Sequence, residues 1–347
     1  MIYLGAKRPN IDSVASVWKN ELHGFLFDER KDLCLVKDGY KIIERYDTYY
    51  KKMNGEVDYL LTNHKVDADD AAFVKAELDY FKTHFDTIVL AGELELEKEK
   101  NAYTSRAEQK SENAKKLYQK LMQNLYSAFT LDEDSDGEQR SHRFFNKLGI
   151  RTCPYCNRLY TVTLNSDNGK TAPEYDHFYD KSDYPLLAVS FYNLVPSCPV
   201  CNHIKRVKKT ATINPFFQGF ESEFTFVDDK DESRVLSKEE VMKKGGGKVR
   251  LRKADGKISM TDKGNIETFA LNEIYNLHDD YISDIVERVQ AYQGISQELV
   301  STFQTRSKTP QEVYDFVWGK YLEVAQYENR PLSKLTKDIL DLLDIKR

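Results

Sequence analysis

The sequence predicts a mainly α-helical chain, α+β overall, with a small central ββα module organised around a metal ion. Three observations support this fold class. Apolar residues recur at helical spacing in residues 1–130 and again near the C-terminus. The composition changes abruptly over residues 139–217, and four of the five cysteines form two C-x-x-C pairs within that stretch.

The overall composition excludes several classes of protein. Hydrophobic residues make up 40% of the 347 residues, enough for a substantial core. A run of about 18 uncharged apolar residues is absent, as is the apolar core of an export signal, and five cysteines are too few for a disulfide framework. We therefore expect a soluble protein of the reducing cytoplasm without membrane contact. Because 56 acidic residues outnumber 51 basic ones, any site for a polyanion must be local.

Three regions are expected: a helical domain at 1–130, a metal-organised module at 139–217, and a C-terminal lobe at 218–347 with strands followed by helices. Acidic, turn-forming residues at 131–138 mark the first boundary. The helical patterns cover 14–26, 40–53, 68–85 and 107–129, then 269–293, 295–306, 310–327 and 332–343. The strand-like runs of the last region cover 224–227, 248–252 and 257–261.

The two cysteine pairs predict a structural zinc site. Cys153-Pro-Tyr-Cys156 and Cys198-Pro-Val-Cys201 have the two-residue spacing that lets both sulfurs of a pair reach one ion, and zinc prefers four tetrahedral ligands. The alternatives are a redox C-x-x-C, which needs only one pair, and unligated buried cysteines, which seldom occur as two matched pairs. Four protein ligands leave no open position, so the ion is expected to stabilise the fold, with catalysis elsewhere.

The residues between the cysteine pairs predict a ββα unit. Residues 158–164 have the pattern of a strand, 165–170 that of a turn, and 173–178 that of a returning strand, which together indicate a β-hairpin. Pro199 can begin a helix after the second pair. Two strands and a helix would then be joined by the zinc site.

The order of polar residues in this unit resembles the HNH endonuclease family. Asp176-His177 matches the first element of the family pattern, Asn193 the middle asparagine, and Asn202, directly after the last cysteine, the third position of the H-N-N version. The resemblance covers residues 150–216. It implies a DNA endonuclease in which His177 is the general base and Asn193 orients the loop behind it. It also implies that Asp176 and Asn202 bind Mg²⁺ or Mn²⁺.

The chemistry of these residue types agrees with the implied roles. A neutral imidazole can accept a proton from water at cytoplasmic pH, and one carboxylate with one amide oxygen leaves most of a magnesium shell to water and phosphate. Adjacent side chains on a strand point to opposite faces, so Asp176 and His177 can share a site only where the strand ends. Two alternatives remain open: Asn202 caps the turn after Cys201, or His203 replaces it as the third ligand.

A cluster of cations after Asn202 predicts contacts with the DNA backbone. It comprises Lys205, Arg206, Lys208 and Lys209, on and after the predicted helix. A second cluster at 243–253 has either the same role or that of a solvated hairpin edge, because lysines commonly protect exposed strands. Neither cluster indicates base recognition, so cleavage is expected to have weak sequence specificity.

Two short C-terminal segments extend the resemblance. Residues 271–278 (LNEIYNLH) and 329–335 (NRPLSKL) are similar to the tail of HNH subunits from Septu and retron-type antiphage systems. This similarity implies a DNA-degrading effector of antiviral defence that works with a partner ATPase. Two other functions stay open: a zinc-stapled DNA-binding protein without catalysis, and an assembly protein whose helical lobes bind partners.

Overall fold

The computed structural model describes residues 2–5, 8–29, 35–38, 41–133, 137–166, 169–171, 173–208, 213–253, 256–257, 259–304 and 309–345. This part of the chain is mainly helical and contains four two-stranded sheets. The predicted α-rich, α+β fold class is therefore confirmed. Every helix within these residues is too short or too polar to span a bilayer.

Contacts within the chain define two compact units whose segments alternate along the sequence. The histidine unit consists of Arg8–Gly149 and Asn165–Val195, and the cysteine unit consists of Met1–Lys7, Ile150–Leu164 and Pro196–Arg347. Neither unit is continuous in sequence. The division therefore does not follow the predicted domain boundaries at 130–139 and 217–218, and the central stretch contributes to both units.

The histidine unit is built mainly from helices that run in sequence before the first cysteine pair. These helices are α1 (Arg8–Phe27), α2 (Tyr49–Thr62), α3 (Ala68–Thr83), α4 (Phe85–Val89), α5 (Glu93–Ala107), α6 (Glu112–Leu131) and α7 (Arg140–Leu148). Its paired strands are β1 (Leu35–Asp38) with β2 (Lys41–Arg45), β3 (Leu164–Ser166) with β4 (Gly169–Thr171), and β5 (Glu174–His177) with β6 (Leu194–Ser197). The outer ends of β3 and β6 continue into segments of the cysteine unit.

Most of the helical patterns predicted for the first region coincide with helices, namely α1, α3 and α6. The pattern at 40–53 is wrong in its first half, which forms the strand β2. Two adjacent β-branched residues, Ile42 and Ile43, favour that strand. Helix α2 begins later because the Thr48 side chain accepts a hydrogen bond from the Lys51 backbone N–H at 3.2 Å and caps the helix.

Trp18 of α1 is the centre of the aromatic core of the histidine unit. Its ring makes edge-to-face contacts with Phe129 of α6 at 4.8 Å and with Phe144 of α7 at 4.9 Å between centroids. Its indole N–H donates to the Val189 carbonyl at 3.0 Å. Each aromatic pair of this kind contributes about 0.5–1.5 kcal/mol beyond its buried area. These contacts fix α1, α6 and α7 and attach the residues that follow β5 to them.

The cysteine unit contains the remaining helices and one longer sheet. Its helices are α8 (Pro199–Lys208), α9 (Lys238–Lys244), α10 (Met260–Thr268), α11 (Leu271–Tyr275), α12 (Asp279–Gln304), α13 (Pro310–Trp318) and α14 (Ser333–Leu342). A 3-10 helix, Val324–Asn329, precedes α14. Strands β7 (Glu223–Val227) and β8 (Lys248–Arg252) pair in antiparallel register. The predicted strands at 224–227 and 248–252 are thus confirmed.

The third strand predicted for this region, at 257–261, is wrong because α10 begins at Met260. The Ser259 side chain caps this helix by accepting a hydrogen bond from the Asp262 backbone N–H. The Asp262 carboxylate in turn accepts the backbone N–H of Ser222 at 2.7 Å. The capping serine and the buried carboxylate therefore determine the local structure here.

The predicted β-hairpin of 158–164 with 173–178 is also wrong. Strand β5 pairs with β6, and residues 159–161 turn back onto the chain just before the first cysteine pair. The Cys153 N–H donates to the Leu159 carbonyl at 2.9 Å, and the Thr161 N–H donates to the Arg151 carbonyl at 2.8 Å. The C-x-x-C sequence is itself the turn of this short hairpin. We call residues 151–161 the knuckle hairpin.

Candidate metal centre and histidine loop

The four clustered cysteines lie together in the cysteine unit. Cys153, Cys156, Cys198 and Cys201 are buried, and their sulfur atoms all lie within 4.8 Å of one another. The Sγ atoms of Cys156 and Cys198 are 4.0 Å apart. A tetrahedron with Zn–S bonds of about 2.3 Å requires a spacing of about 3.8 Å. The cluster can hold a metal ion, which confirms that the two C-x-x-C pairs converge.

At each cysteine pair, a backbone N–H donates a hydrogen bond to a cysteine sulfur atom. Arg158 N donates to Cys156 Sγ at 3.4 Å, and Cys201 N donates to Cys198 Sγ at 3.5 Å. Burial raises the pKa of Cys153, whereas hydrogen bonds with the neighbouring thiols lower the pKa of Cys156. A divalent cation would favour the thiolate form of all four.

Asn157, the residue after the first pair, joins the knuckle hairpin to the C-terminal part of the cysteine unit. It is fully buried and has a left-handed backbone with φ of +49°. Its Nδ2 donates to Thr152 Oγ1 at 3.1 Å, to the Tyr327 carbonyl at 2.9 Å and to the Arg330 carbonyl at 3.2 Å. Its Oδ1 accepts the Lys334 N–H at 3.1 Å. Because an amide both donates and accepts, Asn157 satisfies polar groups of several elements at once.

The segment around α11 contacts the same knuckle hairpin. The Tyr275 hydroxyl donates to the Cys156 carbonyl, and the Arg158 guanidinium donates to His278 Nε2 at 2.9 Å. Burial and the Arg158 charge lower the pKa of His278, which agrees with a neutral imidazole that accepts this bond. The two segments noted in the sequence, 271–278 and 329–335, therefore both pack against the first cysteine pair.

Sequence reasoning missed Asn157, Tyr275 and His278 as residues of this centre. One signal was present for Asn157: both pairs have the sequence Cys-Pro-x-Cys-Asn, so Asn157 and Asn202 occupy matching positions. Tyr275 and His278 had no local signal, because their partners lie more than a hundred residues away in sequence. Because Asn157 has a structural role, the matching position of Asn202 favours the alternative in which Asn202 caps the turn after Cys201.

His177, at the end of β5, has a defined tautomer. The side chain is 8% exposed, and its Nε2 lies 2.9 Å from the Ala188 carbonyl oxygen. A carbonyl oxygen can only accept a hydrogen bond, so Nε2 carries the proton. The neutral imidazole then has its lone pair on Nδ1.

Asn193 closes the chain between β5 and β6, which we call the histidine loop (residues 177–193). It is fully buried. Its Oδ1 accepts the Tyr179 N–H at 2.7 Å, and its Nδ2 donates to the carbonyls of Tyr179 and Leu187, both at 3.0 Å. Its own carbonyl accepts the Phe178 N–H at 2.8 Å. The asparagine therefore fixes the backbone that directly follows His177.

Asp176 and His177 are adjacent at the end of β5, and both influence Tyr126 of α6. Asp176 is 3% exposed. Burial is the main cause of a raised pKa of Tyr126 on α6, and the negative charge of Asp176 raises that pKa further. The rings of Tyr126 and His177 lie 4.7 Å apart between centroids. Strand β5 ends at His177, as the prediction of a shared site requires, and the sharing of one site by Asp176 and His177 stays a prediction.

The other predicted site residues lie in the cysteine unit. Asn202 is 4% exposed in the first turn of α8, and its backbone N–H donates to the Cys198 carbonyl at 3.0 Å. His203 is exposed. The structure thus brings Asp176, His177 and Asn193 together in one unit and the four cysteines with Asn202 in the other. The choice between Asn202 and His203 as third ligand stays a prediction.

The cations predicted to contact DNA differ in their exposure. Arg206 is exposed on α8, whereas Lys205 is only 6% exposed. The Lys208 side chain and the whole of Lys209 lie outside the described residues. A contact between Lys205 and a phosphate would require its side chain to leave its buried position, so Arg206 is the better placed of the two.

The second basic cluster, at 243–253, is largely neutralised by carboxylates of its own unit. Its ion pairs join Lys244 to Asp229, Lys248 and Arg250 to Glu232, and Lys253 to Glu221. Exposed pairs of this kind contribute little to stability, about 0–1 kcal/mol each. They do cancel much of the positive field that would attract a polyanion. This favours the solvated hairpin edge over a DNA contact.

Comparison with known proteins adds no relative to this description. No protein-family model, curated protein or solved structure matches the chain. A function for the chain must therefore be inferred from its own residues and their geometry.

Proposed function

We propose that the chain is a metal-dependent HNH endonuclease that cleaves DNA phosphodiester bonds with His177 as the general base. One observation carries the proposal. The Nε2 atom of His177 is engaged with the Ala188 carbonyl, so Nδ1 holds the lone pair. This imidazole is preceded by the buried carboxylate of Asp176 and followed by a loop that Asn193 closes.

The proposed reaction is a hydrolysis that needs a proton acceptor and positive charge at the phosphate. The oxygen of a water molecule attacks phosphorus, its proton passes to Nδ1 of His177, and the bond from phosphorus to the leaving 3′ oxygen breaks. The leaving oxygen takes a proton from solvent. A Mg²⁺ or Mn²⁺ ion bound through Asp176 would supply the positive charge. Asn193 acts behind the imidazole by holding the loop backbone.

We further propose that the ion of the four-cysteine cluster is Zn²⁺ and that its role is structural. Four sulfur ligands fill a tetrahedral shell and leave no position for water or substrate. Tyr275, Arg158 and Asn157 then tie the sulfur-bearing turn to distant segments of the cysteine unit. Loading of the cluster would stabilise these contacts together.

The substrate and partners follow from resemblance and charge. Arg206 would contact the phosphate backbone without reading bases, which agrees with weak sequence specificity. The similarity of residues 271–278 and 329–335 to antiphage HNH subunits supports a cytoplasmic defence effector that works with a partner ATPase. Both segments contact the knuckle hairpin, which gives them a structural role that requires no partner. The proposed partnership therefore rests on the resemblance alone.

A plasmid assay tests the proposed activity. Purified wild-type protein with Mg²⁺ or Mn²⁺ should convert supercoiled plasmid to nicked and linear forms, and His177→Ala should lose about 100-fold or more of that rate. His64→Asn is a matched control, because His64 is exposed and has a positive φ that asparagine tolerates. Undiminished cleavage by His177→Ala would end the assignment.

The same assay separates the other functions. A zinc-stapled protein without catalysis is favoured by the cysteine cluster taken alone. It predicts that the chain retards DNA in a gel but leaves it supercoiled with either metal. An assembly protein predicts neither retardation nor cleavage. Comparison of Asn202→Ala with His203→Ala, each in a titration with Mg²⁺, shows which residue is the third ligand, because only that variant should require more metal for half-maximal cleavage.

A further inference from the structure

One edge of α6 lies against the histidine loop. The ring of Tyr126 makes an edge-to-face contact with the His177 ring, with centroids 4.7 Å apart and planes at 70°. Three residues earlier on the same helix, Gln123 Nε2 donates to Ser182 Oγ at 3.4 Å. The Lys181 ammonium lies over the Tyr126 ring at 4.5 Å from its centroid. Residues at positions i and i+3 of the helix thus contact the loop together.

Helix α6 is a fixed support for this contact. The residues on either side of Tyr126 along the core face, Leu125 and Phe129, are fully buried. Phe129 packs edge-on against Trp18, and the Ser111 side chain caps the start of the helix. Core side chains at native packing density hold their rotamers. The Tyr126 ring is therefore presented to His177 from a rigid element.

The contact with Tyr126 restrains the plane of the imidazole. The Nε2 atom of His177 is held at the Ala188 carbonyl, and rotation of the ring about that hydrogen bond would turn its edge away from the Tyr126 ring. The edge-to-face contact therefore opposes this rotation and helps to set the direction of Nδ1.

We infer that Tyr126 is a positioning residue for His177, which rests on the proposed nuclease function. Its ring sets the plane of the imidazole so that Nδ1 points consistently at the attacking water. The ring, rather than the hydroxyl, makes the contact, so phenylalanine should replace tyrosine and an aliphatic residue should not. A misplacement of about 1 Å in a reacting group can cost about 100-fold in rate.

Steady-state cleavage of a fluorescent duplex separates kcat from KM. We expect Tyr126→Leu to lower kcat by about 10- to 100-fold with little change in KM. Tyr126→Phe should stay within about threefold of wild type, because it keeps the aromatic contact. If Tyr126→Leu does not fold, Tyr126→Met, which is unbranched and adapts to irregular space, takes its place.

The Lys181 ammonium lies over the Tyr126 ring, so a substitution of Lys181 tests whether Tyr126 acts indirectly through this cation. Lys181→Met removes the ammonium and keeps the Tyr126–His177 contact, so kcat should stay within about threefold of wild type. A loss of kcat in Lys181→Met as large as that in Tyr126→Leu would show that Tyr126 acts through Lys181. That outcome would overturn the positioning role.

A spectroscopic measurement tests the contact without relying on cleavage. In protein labelled only at histidine, the His177 signal is identified by its absence in His177→Ala. The ring current of Tyr126 should shift the His177 ring protons; Tyr126→Phe should keep that shift and Tyr126→Leu should abolish it. If the wild type shows this shift but does not cleave DNA, the nuclease function is refuted and the ring contact is not. Loss of the shift in Tyr126→Leu with kcat unchanged would refute the positioning role while the nuclease stands.

Discussion

The cysteine cluster and the histidine loop are held in place by different forces. The four buried sulfurs converge through two short turns, and a divalent cation between them would favour their thiolate forms and join the two turns. The histidine loop is closed by neutral hydrogen bonds, chiefly those of Asn193, and by the bond between His177 and Ala188. The first region should therefore depend on metal for its fold, and the second should keep its geometry without it.

Removal of the sulfur-bound ion should have the largest effect. Cys153→Ser, or a strong chelator, should abolish zinc binding and unfold the cysteine unit, since structural zinc supplies on the order of 10 kcal/mol in small zinc peptides. Zinc content and thermal unfolding measure this. Cys34→Ser is the matched control, because Cys34 is the one cysteine outside the two pairs. A Cys153→Ser protein that is folded and zinc-loaded would contradict the comparison.

Asn157 should be the next most sensitive position, and two variants separate its contributions. Asn157→Ala orphans hydrogen-bond partners at Tyr327, Arg330 and Lys334 and puts alanine, which tolerates positive φ less well than asparagine, at this position, for a loss of about 4 kcal/mol in unfolding free energy. Asn157→Gly loses the same bonds without the strain and should cost about 1 kcal/mol less. Equal losses in urea titration would show that the left-handed backbone contributes nothing.

Loss of the Asn193 side-chain amide, which closes the histidine loop, should lower the free energy of unfolding somewhat less. Asn193→Ala orphans the Tyr179 N–H and the Tyr179 and Leu187 carbonyls, which should cost about 3 kcal/mol and lower cleavage with zinc content unchanged. Asn193→Asp can still accept from Tyr179 but cannot donate, so it should recover only part of the loss. Zinc released by either variant would show that the two regions are not independent in their folding.

The sequence indicated the cysteine cluster well because its information is local. Two residues between cysteines fix how closely the sulfurs of a pair approach, whatever the rest of the chain does. The partner of residues 158–164 was predicted wrongly because strand pairing depends on long-range packing. The C-x-x-C turn returns residues 159–161 to the segment before Cys153, which leaves β5 free to pair with β6.

The residues that hold the candidate site in place could not be predicted from the sequence, because their contacts also depend on long-range packing. Asn157 contacts Tyr327 across 170 residues, and Tyr275 contacts Cys156 across 119. The division into two interleaved units likewise follows from contacts between distant segments, which composition does not record. The tautomer of His177 depends on a carbonyl that the sequence cannot place.

The smallest expected effect concerns DNA binding by surface cations. Arg206→Ala should weaken binding to duplexes of any sequence and reduce the slope of log K against log salt by about 1. Lys248→Ala, at a cation already paired with Glu232, should leave that slope unchanged. Fluorescence anisotropy at several salt concentrations measures both. Equal effects of the two substitutions would restore the second basic cluster as a DNA contact.

The central claim is that the cysteine cluster supports the fold and that the histidine loop supplies the chemistry. One pair of measurements on His177→Ala tests it most directly: the zinc bound per chain and the rate of plasmid cleavage at saturating Mg²⁺. We predict about one zinc ion per chain, as in wild type, with cleavage lowered by about 100-fold or more. Cleavage at the wild-type rate, or loss of zinc together with cleavage, would contradict the claim.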